Sequence, residues 1–217
     1  MRTILRAVAL SAALAAAAAC ITVDVGGKKG ETVPGDRFHV LDAADIGARP
    51  PAAAAPPAAN SRRPVIALRS FRARDRFDKH VLRRDDAGRV TPLDHDLWAD
   101  EPSQAVTDAC REALAACGAY SAAVDTADAH AADVILEGTV LEFSVAMPPA
   151  APEGTGPSKA RFRARLTLSD ARTGAILVTG SYAGDADLPG PTTDGLGPAM
   201  GRAVGQALRS LLADAAR

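Results

Sequence analysis

Ala160, Phe162, Ala164, Leu166 and Leu168 alternate with Arg161, Arg163, Arg165, Thr167 and Ser169. One apolar side and one cationic side predict a half-buried antiparallel strand. Asp170-Ala171-Arg172-Thr173-Gly174 reads as a turn, and Ala175 to Ala183 as the returning strand. Upstream, Ala132 to Met147 predicts the longest strand. Val134, Leu136, Gly138 and Val140 share one parity, whereas Leu141, Phe143, Val145 and Met147 take the other. A period of two changes parity only through an extra residue or a bend, so a β-bulge is expected at Val140–Leu141. Pro148 to Lys159 reads as a Pro/Gly loop. Earlier strands are expected at Arg37–Leu41, ended by Asp42, and from Val65 to about Phe71. His80–Arg84 and Arg89–Thr91 flank Asp85-Asp86-Ala87-Gly88, a hairpin signal.

Two segments carry helical periodicity instead. Trp98-Ala99-Asp100-Glu101-Pro102 marks a helix start, with proline suited to the first turn and acids to the positive end of the dipole. Val106, Cys110, Ala113, Leu114 and Cys117 follow on one face, and Gly118 suits the stop. The last helix is expected from Leu196 to Ala215, with Leu196, Met200, Val204, Leu208, Leu211 and Leu212 as its stripe. The order is strands, helix, three strands, helix. A sheet must bury one face, and these two helices are its only candidates for cover. The expected fold is therefore α/β (α+β): a two-layer sandwich, mostly antiparallel, covered on one face by two helices.

The N-terminus follows another pattern. Arg2 and Arg6 precede an uncharged run from Ala7 to Ala19, and Cys20 comes next. A positive start, an apolar stretch and small residues before a cut make a secretory signal peptide. The run has 13 residues, against roughly 20 for a bilayer span. Cysteine after Ala17-Ala18-Ala19 resembles a bacterial lipobox, although Ala17 stands where leucine is usual; plain Ala-x-Ala cleavage is the other reading. Residues 1–19 are thus expected to be a lipoprotein signal peptide and 20–36 a flexible tether from lipidated Cys20. Residues 37–217 form a single domain with a Pro/Ala-rich loop at 49–64. The Gly-rich tether has a coil reach of about 20 Å.

Composition narrows the classes further. Lys and Arg number 25 against 26 acids, and losing Arg2 and Arg6 with the leader takes the net charge from −1 to −3. Bulk charge therefore argues neither for nucleic acid nor for an anionic membrane face. Aromatics at 4% point to a thin core.

Candidate chemistry is sparse. His39, His80, His95 and His130 have no metal-ligand helical spacing, and Asp94-His95-Asp96, the one His–carboxylate cluster, reads as a solvated loop. Cys110 and Cys117 lie seven residues apart on the apolar helix face, about 10.5 Å along the axis, too far for a bridge. They read as small buried apolar residues. Gly195-Leu196-Gly197-Pro198-Ala199-Met200-Gly201 misses the dinucleotide spacing by one place and reads as a flexible start to the last helix. Trp98 reads either as a packing staple or as an interface anchor. The stripe of Arg161, Arg163 and Arg165 reads as a solvated face or as a surface for an acidic partner. No catalytic residue, cofactor-binding residue or metal ligand is assigned.

Several stretches in order resemble the ABC-type transport auxiliary lipoproteins, partners of Mce-type and paraquat-inducible lipid-transport systems. These are Phe38-His39-Val40-Leu41-Asp42-Ala43, Phe71 with Phe77-Asp78 and Val81-Leu82-Arg83, Trp98-Ala99-Asp100-Glu101-Pro102, and Ala132-Asp133-Val134-Ile135-Leu136-Glu137-Gly138. The resemblance spans roughly residues 36–215; His39 departs from the usual aromatic residue. It implies a non-enzymatic, periplasm-facing adaptor at the outer-membrane end of a lipid conduit. It also implies association with an Mce-domain protein and a homo-oligomeric ring. Ile21 after Cys20 is compatible with outer-membrane sorting. Competing expectations are an outer-membrane lipoprotein regulator binding a periplasmic cell-envelope enzyme, and a secreted hydrolase.

Overall fold

The computed structural model describes residues 35–47, 62–73, 78–147, 158–190 and 192–217. Residues 1–34, the Pro/Ala-rich stretch 48–61, Phe77 and most of the Pro/Gly loop after Met147 lie outside the described residues. The chain runs β1 (Arg37–His39), α1 (Ala43–Ile46), β2 (Val65–Leu68), β3 (Arg72–Ala73), β4 (His80–Arg84), β5 (Val90–Trp98) and α2 (Pro102–Ala116). It continues through β6 (Ala122–Asp125), a 3-10 turn over Thr126–Ala131, β7 (Val134–Ala146), β8 (Lys159–Asp170), β9 (Ile176–Asp187) and α3 (Leu196–Ala215).

The strands form one mixed sheet, and β7 is its axis. Along one edge β7 pairs in succession with β2, β3 and β4; along the other it pairs with β8, and β8 with β9. The long β7–β8 and β8–β9 ladders and the β4–β5 hairpin are antiparallel, as the alternation predicts. The short ladders β1–β5, β2–β6, β2–β7, β3–β7 and β4–β7 are parallel. Parallel neighbours need a crossover rather than a turn, and α2 lies in the chain between β2 and β6. The hairpin turns as expected on Asp85–Gly88: Gly88 has φ 79°, and its N–H donates to Asp85 O at 2.9 Å.

The expected bulge is present. The β7–β8 register shifts between Val140 and Glu142 and leaves Leu141 as the extra residue. Leu136 and Val140 before it, and Phe143 and Val145 after it, therefore all point into the core. Gly138 shares that face for lack of room, since a Cβ there would lie 2.8 Å from Leu166 Cδ2 and 3.1 Å from Phe71 Cδ1.

Both long helices pack on this apolar side. α2 starts at Pro102 and buries Val106, Ala109, Cys110, Ala113 and Leu114; Gly118 follows its last residues at φ 76°. α3 buries its predicted stripe. The glycine-rich start of α3 is a close-packing seat rather than a flexible one. A Cβ on Gly197 would lie 2.2 Å from Val40 O, on Gly201 2.4 Å from Asp45 Cβ, and on Gly205 1.8 Å from Ile46 O. The repeat of four puts these three glycines on one helix face, and residues 40–47 lie across it. Asp42, expected to end a strand, instead caps α1 by accepting from Ala44 N at 2.8 Å, and Arg209 caps the other end through Ile46 O and Gly47 O. On β9, Gly184 gives the same closeness, with a Cβ there 2.0 Å from Ala203 O.

Candidate functional site

Asp94, His95 and Asp96 are part of strand β5, not of a loop, and the register places Arg37 opposite Asp96 and His39 opposite Trp98. Asp96 is 4% exposed and holds three elements together. Arg37 Nη2 donates to it at 2.8 Å, His39 Nε2 bonds it at 2.9 Å, and Thr193 Oγ1, just before α3, donates at 2.6 Å. Burial opposes ionisation of Asp96. The bonds from Thr193, His39 and Arg37 outweigh it and hold the carboxyl below its ordinary value. This hub joins the N-terminal edge strand to the root of the last helix. His95 is separate from it, near Asp36 at 3.3 Å.

Trp98 is a core residue. It is 2% exposed, lies 4.6 Å from Phe143 ring to ring, and takes the edge of His39 at 5.9 Å. This is the staple reading, and His39 supplies the ring contact that an aromatic residue would give. Beside it opens a cleft of about 200 Å³ between residues 39–43 and the start of α2, with Asp42, Asp100, Asp108 and Glu112 in its lining. Asp42 and Asp108 are engaged there, Asp42 with the α1 N-terminus and Asp108 with Arg111 and Gln104.

The remaining candidates separate. Cys110 is buried, and burial pushes its thiol up to about 12, so it stays protonated and inert at neutral pH. Cys117 is half-buried rather than buried, its Sγ donates to Leu114 O at 3.0 Å, and both cysteines are free. Among the described residues no group of three His, Cys, Asp or Glu side chains is placed to hold a metal ion. Cys20 lies outside the described residues.

The arginine stripe falls on the sheet face opposite the helices, where register adds partners that the strand alone does not show. Glu142 lies 2.9 Å from Arg84 and 3.1 Å from Arg163, and Arg69 lies 2.8 Å from Glu137. Arg161 and Lys159 stand 3.8 and 3.4 Å from Asp185 and Asp187. Arg72 and Arg165, by contrast, flank Thr139 in a single cross-strand row that continues to Ser181. No carboxylate pairs with either arginine among the described residues.

Sheet and helices thus define the class as an α+β sandwich domain with one face covered by helices, one charged face that no described residue covers, and a buried polar hub at its N-terminal edge. The chain belongs to the ABC-type transport auxiliary lipoprotein component family, whose model matches residues 48–211. Protein XCC0632 from Xanthomonas campestris, described as DUF330, is similar in structure. Its TM-score is 0.59 at 14% identity, with 84% of this chain and 93% of that one covered. A second solved structure, of an uncharacterized protein, gives 0.55 at 12% identity, covering 85% and 98%. At these identities the likeness shows the fold. No curated protein matches the sequence.

Proposed function

We propose that this protein is a non-enzymatic lipoprotein, lipidated at Cys20, that serves an ABC/Mce-type lipid transport system between the envelope membranes. It is held at the outer membrane, faces the periplasm, associates with the Mce-domain protein of the transporter, and assembles into a homo-oligomeric ring. The observation that carries this reading is the family match over residues 48–211, to a transport auxiliary lipoprotein component. The leader pattern from Arg2 to Cys20 supports the anchor, and a coil of some 15 Gly-rich residues after Cys20 has a root-mean-square reach of about 20 Å.

The test is a crosslinking pull-down of the full-length protein from its native envelope, read by mass spectrometry, alongside Cys20→Ala. Recovery of an Mce-domain protein and ABC components, with wild type in the membrane and the variant soluble, is the expected result. If no transporter component comes down and both forms are soluble, the transport role and the anchor both fail.

A further inference from the structure

We propose that the open sheet face is a membrane-contact surface that seats its arginines on the phosphates of anionic phospholipids. The net charge of −1 hides how charge is distributed. On this face Lys159, Arg161, Arg163 and Arg165 line β8, with Arg69 and Arg72 beside β7, against Glu137, Glu142, Asp185 and Asp187. The acids are engaged by neighbouring cations, which leaves the Arg72–Thr139–Arg165 row as unneutralised positive charge among the described residues. Two strand spacings put the Arg72 and Arg165 backbones about 9.5 Å apart. Arginine side chains at that separation are long enough to meet on one anion above Thr139. A planar guanidinium suits phosphate because it donates two parallel hydrogen bonds.

Two further observations favour a bilayer over an acidic protein. Exposed apolar side chains stand on the two outer strands of the same face. Phe38, 65% exposed, is paired with Leu97, whose neighbour Trp98 points into the core. Ile176, 64% exposed, is paired with Ser169, whose neighbour Leu168 is buried. Basic charge with apolar margins matches a headgroup layer. The second observation is chain length: only residues 20–36 separate Cys20 from β1, which lies on the edge of this face, and a short link raises the effective concentration of a face near its anchor. This last point rests on the proposed lipidation of Cys20; the charge pattern does not.

The full chain with Cys20→Ala, free of acyl chains, is sedimented with phosphatidylcholine vesicles, with and without phosphatidylglycerol, at low and high salt. Binding is expected to require phosphatidylglycerol and to fall with salt. A basic residue at an anionic surface is worth about fivefold in partition, so Arg72→Gln with Arg165→Gln should lower binding roughly twenty-five-fold. Arg111→Gln with Arg217→Gln, on the helix side, should leave it unchanged. The Arg72→Gln with Arg165→Gln variant should melt with wild type, because both side chains are exposed. Binding indifferent to phosphatidylglycerol, or equal in the two double variants, overturns the proposal. So does a face that ignores vesicles but, when substituted, loses a crosslink to an acidic envelope protein. Failure of the anchor shows separately, as wild-type protein released from the envelope by a high-salt wash while low-salt vesicle binding persists.

Discussion

Single residues carry the coupling between the N-terminal edge and the rest of the domain. Trp98→Ala removes a ring enclosed by Phe143 and His39, and truncating a buried tryptophan costs about 3–5 kcal/mol. Urea unfolding should show that loss; an unchanged midpoint with weakened self-association would restore Trp98 as an interface anchor. Asp96 makes a pH prediction. Its folded-state value is depressed, so its contribution to stability is complete above the unfolded value of about 3.9 and fades as pH falls through the folded one. Asp96→Asn should destabilise the protein at neutral pH and flatten the acid limb of its stability curve, measured by thermal melts from pH 7 to about pH 3. An acid limb as steep as that of wild type would remove Asp96 from the account. Trp98 was legible as a packing staple, whereas the hub at Asp96 was not. Asp94-His95-Asp96 reads as a polar run, and Thr193, which settles the role of Asp96, lies 97 positions away.

Among the elements, legibility followed length. β7, β8, α2 and α3 repeat their period over many residues, so their type, their buried side and even the bulge at Leu141 could be read in advance. The short strands β1, β3 and β6 have two to four residues. Such segments hold too little pattern to name their partner, and parallel pairing leaves no turn to give it away. The alanine-rich Ala122–Asp125 carries no strand signal for that reason. The glycines of α3 were legible as glycines but not as a seat, because their reason is the backbone of residues 40–47. A sharp test follows. In an open helix Gly→Ala stabilises by about 1 kcal/mol, whereas a Cβ on Gly205 would lie 1.8 Å from Ile46 O. The clash should win, and Gly205→Ala should destabilise by about 1–3 kcal/mol in urea unfolding. A gain in stability would mean that α1 is not seated there.

For the whole molecule, the two faces of the sheet have different tasks: one is filled by helices and the other presents charge. Composition could not show this division, since a near-neutral chain carries its basic row and its acidic cleft on different surfaces. Adding salt should therefore weaken contacts of the open face while leaving the apolar core intact, which vesicle binding and melting temperature can separate in one titration series. The seat on α3 also has a mechanical side. Tension applied to the chain ahead of Arg37 meets the three-residue ladder of β1 on β5 first, and only then the segment clamped over Gly197, Gly201 and Gly205. Besides that ladder, β1 is held by the bonds of Arg37 and His39 to Asp96. Release of β1 alone under a pull should free three residues, roughly 10 Å of chain, a step that single-molecule pulling from Arg37 would record ahead of global unfolding.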